Sequence, residues 1–432
     1  MVGTVLPINM GALGFVAAWL VGMYSLNLDE KEIFAGISGD LVLTLIGVTY
    51  LFAIAKNNGT VDLIVQAAVR AVGGRVVLIP WVMFGVTATL TAIGAVSPAA
   101  CAIVGPIALG FAARHKINPL LMGMFVVHGA QAGGFSPISI YGTITNSVMR
   151  ENDLPVGEVT IFLTSLFANL AIAIVLFLVL GGRDLIGRRI DPNESTGDDE
   201  HSDGGVAPGT ASGSAAGGST VTAAKPGTTT SPKLSVDQIV TLVAFLTVAV
   251  VALAFDRNIG FAAISAAVVL TALFPNAQKG AVSQIAWSTV LLVAGVSTFA
   301  TILETAGAPE YVGNWAAGFT TVLLGALILC YVGGVVSAFA SSTALLPIII
   351  PIAVPLIASG NVSAVAIVAA LVVASTIVDV SPFSTNGALM VANRPDTISE
   401  EKFYKQILGY SAIVVAVGPL LVWAAVVAPG WL

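Results

Sequence analysis

Gly134-Phe135-Ser136-Pro137-Ile138-Ser139-Ile140-Tyr141-Gly142 and Asp379-Val380-Ser381-Pro382-Phe383-Ser384-Thr385-Asn386-Gly387 share the pattern SPxSxxG at a displacement of 245 residues, Ser136 to Ser381. Ser97 with Pro106 recurs as Ser342 with Pro351 at the same displacement. Upstream, Gly47-Val48-Thr49 with Asn58-Gly59 resembles Gly295-Val296-Ser297 with Ala306-Gly307 (displacement 248), and Asn9-Met10-Gly11 resembles Asn258-Ile259-Gly260 (displacement 249). Four matches in order point to an internal duplication.

Each SPxSxxG element lies in a long apolar stretch. The chain is 56% hydrophobic and 9% charged, against about 25% charged in ordinary soluble domains. A backbone inside lipid must satisfy its own hydrogen bonds, so a crossing takes about 20 apolar residues in a helix. Full crossings are expected near 5–24, 39–56, 118–149, 159–181, 236–255, 258–274, 286–303, 362–392 and 407–428. Two further regions, 76–113 and 320–358, break at small polar tips, Ala95-Val96-Ser97-Pro98 and Ala340-Ser341-Ser342-Thr343, and read as helical hairpins. The expected fold class is an all-α polytopic membrane protein. Five crossings separate each element from its counterpart, so the two copies run in opposite directions, an architecture of secondary transporters.

Basic residues set the orientation. Of 17, fourteen fall on the side of the N-terminus and only Lys31, Arg150 and Arg257 opposite. The N-terminus is therefore expected in the cytoplasm and the C-terminus outside an inner (plasma) membrane. The first apolar stretch has no basic residue before it and no convincing cleavage site, and reads as a retained crossing. Residues 183–233 read as a disordered cytoplasmic linker rich in Gly, Ser, Thr and Pro. It divides a first membrane repeat, 1–182, from a linking helix, 234–257, and a second, inverted repeat, 258–432.

The net charge of −6 owes much to acids in that linker, and no basic patch suggests nucleic acid. Cys101 and Cys330 lie far apart in apolar segments and read as packing residues. The histidines, His115, His128 and His201, are not at ligand spacing, and neither a Walker loop nor a nucleophile with its base is present. An enzyme and an ATP-driven pump are thereby disfavoured, and no cofactor is expected.

Pro137 and Pro382 should each break a crossing, because proline removes a backbone donor and disfavours helix in the residue before it. Freed backbone at membrane depth is tolerated where it lines a cavity or coordinates something. Half-helix N-termini then offer partial positive charge to an anion and freed carbonyls suit a small cation. Asp379 is the sharpest single residue, either an ion-path carboxylate or a cap for the following half-helix. His128 and Gln131 could relay a proton or shape the cavity, a lone histidine between helices being more often a packing residue.

The order of hairpin, broken helix, crossing, linker and repeat resembles the ion transporter superfamily, in particular the divalent anion:sodium symporters and, within them, the MatC-type malonate/dicarboxylate carriers. The resemblance spans nearly the whole chain, with Ser381 to Leu389, SPFSTNGAL, its most specific piece. In the symporters each hairpin tip bears a Ser-Asn-Thr motif for substrate carboxylate and sodium. Here Ser341-Ser342-Thr343 is similar with Ser in place of Asn, and Val96-Ser97-Pro98 keeps a polar middle residue. A Thr-Pro-Pro-Asn-like turn at each break has Thr143-Ile144-Thr145-Asn146 and Ser384-Thr385-Asn386 as its counterparts.

On the residues and this resemblance together, Ser97, Ser139, Thr143, Ser342, Thr343, Ser384, Thr385 and Asn386 are expected to bind substrate. Val96, Gly134, Ser136, Ser341, Asp379 and Ser381 are expected to bind a Na+ or H+ coupling ion. The resemblance implies a homodimer with a scaffold and a mobile transport domain. The expected cargo is a small dicarboxylate such as malonate or succinate; oxyanion export or cation/proton antiport is the alternative.

Overall fold

A computed structural model describes residues 9–189, 235–255, 257–308, 311, 321–338, 342–358 and 362–430. Among these residues it has seventeen α-helices and no strand, only an isolated bridge between Arg75 and Arg189. Before the linker come α1 Met10–Ser25, α2 Glu30–Ala35, α3 Gly39–Asn57, α4 Thr60–Ala71, α5 Leu78–Ala92, α6 Ser97–Arg114, α7 Pro119–Gly133, α8 Ile140–Glu151 and α9 Glu158–Val179. After it come α10 Val236–Phe255, α11 Ile259–Leu273, α12 Trp287–Thr305, α13 Val322–Ser337, α14 Ser342–Ala358, α15 Ala364–Ile377, α16 Thr385–Ala392 and α17 Glu400–Val426. Six of these, α3, α6, α9, α10, α12 and α17, are long and apolar enough to cross a bilayer unaided.

Helices begin where the two copies place equivalent caps. Asn9 accepts from the Gly11 N–H and Asn258 from the Phe261 N–H, opening α1 and α11. Asn118 caps α7 and its counterpart Ser363 caps α15. Such side-chain oxygens satisfy amides that a helix start leaves unpaired.

The copies exchange partners. Gly11 and Gly14 of α1 pack on the backbone at Leu291 and Gly295 of α12, and Gly47 of α3 packs on Gly260 of α11. The glycines 11, 47, 260 and 295, singled out as repeat markers, thus form two equivalent contacts between copies, where a missing Cβ lets helix backbones touch. Contacts along these pairs also fix direction. Gly11 meets Leu291 and Gly22 meets Ile302, so α1 and α12 run parallel. Asp40 bonds Asn258 and Tyr50 bonds Thr271, so α3 and α11 run parallel. Gly36, just before α3, lies at Thr298 and Thr301 of α12, while Thr49 accepts from the Ala286 N–H before α12 begins. The corresponding helices α3 and α12 are therefore antiparallel, as an inverted duplication requires.

Large apolar side chains face outward: Leu163, Phe167, Ile174 and Val175 on α9, and Val243, Leu246, Val250 and Leu253 on α10 are exposed. Polar residues such as Ser165, Asn169 and Thr241 on the same helices are buried. This inside-out distribution is that of a multi-pass membrane protein.

Helices α5 with α6 and α13 with α14 form the two hairpins. The tip residues Ala340 and Ser341 lie outside the described residues, as does the linker from 190 to 233. The first linker residues, 183–189, are folded: Gly182–Leu185 forms a 3-10 turn, Leu185 is buried, and the Arg188 carbonyl accepts from the Val76 N–H. Apolar Leu185 among polar neighbours supplies the anchor that composition alone obscures.

Candidate substrate and ion site at the two helix breaks

Helix α7 stops at Gly133 and α8 starts at Ile140; α15 stops at Ile377 and α16 starts at Thr385. The two breaks are built alike. Ser139 Oγ donates to the carbonyls of Gly134 and Ser136, and Ser384 Oγ to those of Asp379 (3.1 Å) and Ser381 (2.7 Å). Each hydroxyl also accepts from the glycine N–H three residues on, Gly142 at 3.3 Å and Gly387 at 3.2 Å. A methyl group at Gly142 would collide with the Ser136 carbonyl, and one at Gly387 with that of Ser381. The motif SPxSxxG thus reads as a machine part: proline interrupts, serine caps, and glycine lets the folded-back carbonyl approach.

Proline alone does not make a break. Pro106, Pro347, Pro351, Pro355 and Pro419 all lie inside continuous helices. What distinguishes Pro137 and Pro382 is the capping serine and the glycine after it.

This geometry reassigns several expected ligands. The hydroxyls of Ser139 and Ser384 are committed to the break, which removes them from the candidate substrate contacts. The Gly134 carbonyl accepts from the Ser139 hydroxyl and from the Gly142 N–H, and is engaged within the break. Ser136 Oγ donates to the Ala92 carbonyl at 2.7 Å, tying the break to the first hairpin. Ser381 Oγ accepts from the Phe383 N–H at 3.0 Å. Ser381 thus serves a turn and Ser136 a contact between elements. Asp379 does not cap α16, because Ser384 does. Val96 is the extended residue before α6 and contributes backbone only. Thr385 is exposed on the first turn of α16, away from the buried cluster.

Ser97, Asp379 and Asn386 meet, with Gln131 beside them. Asn386 Nδ2 donates to Ser97 Oγ at 2.8 Å and to Asp379 Oδ2 at 3.0 Å, and Gln131 Nε2 donates to the same carboxylate oxygen at 3.3 Å. Second-repeat Asp379 is thereby held by both copies. Tyr141 is buried within the first break, its ring against Phe135 with centroids 5.4 Å apart. Ser342 Oγ bonds Ser337 Oγ at 2.8 Å, and Thr343 is buried beside it.

A carboxylate accepts and cannot donate, so the amide nitrogens of Gln131 and Asn386 must face Asp379. Their oxygens, Gln131 Oε1 and Asn386 Oδ1, are buried without a partner. Buried polar atoms are nearly always paired. Each of these oxygens shares a carbon with a nitrogen bound to Asp379, so both lie within a few ångström of the carboxylate. Among the described residues no basic side chain pairs with Asp379. A lone carboxylate in lipid costs about 2.5–3.5 kcal/mol on insertion scales.

Gln131 is held from behind. Its carbonyl accepts from Ser165 Oγ at 3.0 Å; the Ser165 carbonyl accepts from Asn169 Nδ2 at 2.9 Å; Asn169 Oδ1 meets His128 Nδ1 at 2.8 Å; and His128 Nε2 meets the Tyr410 hydroxyl at 2.5 Å. Because Asn169 turns its nitrogen to Ser165, its oxygen faces the imidazole, and Nδ1 carries the proton. His128 is a fully partnered packing residue that braces α7 against α9 and α17. Of the bracing network only His128 and Gln131 stand out in sequence; Ser165, Asn169 and Tyr410 carry no signal there.

Thr143 stands apart, with Oγ1 buried and unpartnered in a separate cavity of about 320 Å³ that also contains Asn146 and Asp40.

Residues 1–134 match the family model of the dicarboxylate carrier protein MatC N-terminus. Residues 258–429 match a citrate transporter family model, which begins at Asn258, the cap of the second copy. Comparison with the curated proteins gives no match. Both matched families are carriers, not enzymes.

Proposed function

We propose that this chain, a secondary transporter for carboxylates consistent with the MatC type of the ion transporter superfamily, moves a small dicarboxylate such as malonate or succinate together with a cation. The observation that carries this reading is the junction of Asp379, Asn386, Gln131 and Ser97, where two buried amide oxygens stand unpartnered beside a carboxylate without a countercharge. Unpartnered amide oxygens beside one negative charge suit Na+ or a proton. The first turns of α6 and α14, with Ser97, Ser342 and Thr343, offer amide and hydroxyl donors to carboxylate oxygens. Two such helix starts, one per repeat, match a molecule with a carboxylate at each end.

A bound cation lowers the cost of bringing the anion to Asp379, and the anion does the same for the cation. That reciprocity is the coupling. Alternating exposure follows if the hairpin and broken-helix units move as a body against α1, α3, α11 and α12. The positive loops favour an inner membrane with the N-terminus inside and the C-terminus outside, and we take the working unit as a homodimer.

Uptake of radiolabelled malonate and succinate into proteoliposomes, with Na+ or H+ gradients imposed singly, tests the reading. Accumulation of either driven by one of the gradients is expected. No accumulation of either under any gradient would overturn it.

A further inference from the structure

On helix α8, Thr143, Asn146, Ser147 and Arg150 recur at i, i+3, i+4 and i+7, which places them on one face. All four line the 320 Å³ cavity, and Asp40 and Thr44, one turn apart on α3, form the facing wall. Its volume lies at the lower end of the roughly 300–1,000 Å³ of small-molecule sites, room for a C3 or C4 dicarboxylate. Arg150, Arg257 and Asn258 are exposed at the mouth, whereas Thr44, Thr143 and Asn146 are buried at its end. Thr143 follows the Ser139 cap by one turn, so the inner end abuts the first break.

Two observations point to a ligand. Thr143 Oγ1 and Asn146 Oδ1 are each buried and unpartnered within the cavity lining. The charges there are unevenly satisfied: Arg150 is paired with Glu158 at 2.5 Å, and Asp40 accepts from Ser147 Oγ at 2.8 Å and from Asn258 Nδ2. Arg257 has no ion-pair partner among the described residues.

We infer that this cavity is an access chamber for the dicarboxylate, in which Arg257 engages one carboxylate and the Thr143–Asn146 face of α8 conducts the molecule to the first break. The inference rests on the dicarboxylate reading above. On the orientation set by the basic loops the chamber opens outward. Arg257 offers a planar fork of donors suited to a carboxylate; the Thr143 hydroxyl can donate to the anion, and Asn146 does so through its amide nitrogen while its unpartnered oxygen takes a hydrating water.

The test uses proteoliposomes of the full chain in which uptake of malonate or succinate is measured first; absence of uptake counts against the dicarboxylate reading itself. With uptake present, Ser147→Cys is introduced after replacing buried Cys101 and Cys330 by alanine. A membrane-impermeant, negatively charged thiol reagent is then applied from each side. Modification from one side only, slowed severalfold by saturating dicarboxylate, is expected. No modification from either side, or modification at a rate indifferent to substrate, would overturn the chamber. Independently, Arg257→Gln should raise the KM for uptake at least about tenfold at low ionic strength, with Arg257→Lys recovering part of it. Added salt should raise the KM of the parent protein more than that of Arg257→Gln. An unchanged KM in Arg257→Gln would likewise overturn the role of Arg257.

Discussion

Asn386 Nδ2 lies 2.8 Å from Ser97 Oγ, a bond that spans 289 residues and joins the second helix break to the first hairpin. The same nitrogen reaches Asp379 at 3.0 Å, so one amide links hairpin, break and carboxylate. The inverted copies interlock at the site: α16 packs on α6, and α8 on α14.

Removing that amide should uncouple the parts. Asn386→Ala strips Asp379 of a donor and leaves Ser97 without this partner, both in a buried setting where a lost bond to a charged group costs about 1.5–3 kcal/mol. Uptake should fall at least tenfold while the amount of membrane-inserted protein, measured by fluorescence size-exclusion, stays near that of the parent. Parent-like uptake would remove Asn386 from the site.

Neutralising Asp379 separates cation from anion. In Asp379→Asn the buried charge is gone, so the dependence of uptake on Na+ or H+ should flatten, with the preference between malonate and succinate preserved. Cation titrations of initial rates give the answer; a parent-like cation dependence would contradict the assignment.

The break glycines should be far less tolerant than other helical glycines. Gly142→Ala and Gly387→Ala each force a carbonyl away from its turn, and destabilisation on the order of 3 kcal/mol is expected. Gly110, on the exposed face of α6, has nothing within 4 Å of a new Cβ; Gly110→Ala should be neutral or stabilise by about 0.5 kcal/mol. Thermal unfolding in detergent compares the three directly.

The brace behind Gln131 predicts a stability effect without a change in coupling. His128→Ala leaves Asn169 Oδ1 buried and unpaired, at about 1–3 kcal/mol, and deprives the half-buried Tyr410 hydroxyl of its partner. A lowered Tm with an unchanged coupling ion is expected. A changed coupling ion would make His128 part of the ion path instead.

The sequence by itself determined the duplication, the hairpins and both break positions. These follow from local chemistry that each copy carries separately: proline lacks a donor, serine caps, and glycine tolerates a carbonyl pressed against it. Tertiary structure decided which polar groups remain available. Ser139, Ser384 and Gly134 have the right chemistry for ligands, yet the fold spends their bonding capacity on the turns. Gln131 carried only a weak signal in an apolar stretch, and acquires a place in the site because inverted packing brings it to Asp379, 248 residues away. Hydrogen-bond saturation and contacts between distant copies depend on how the helices pack in three dimensions, and residue type and spacing along a single strand of sequence carry no record of them.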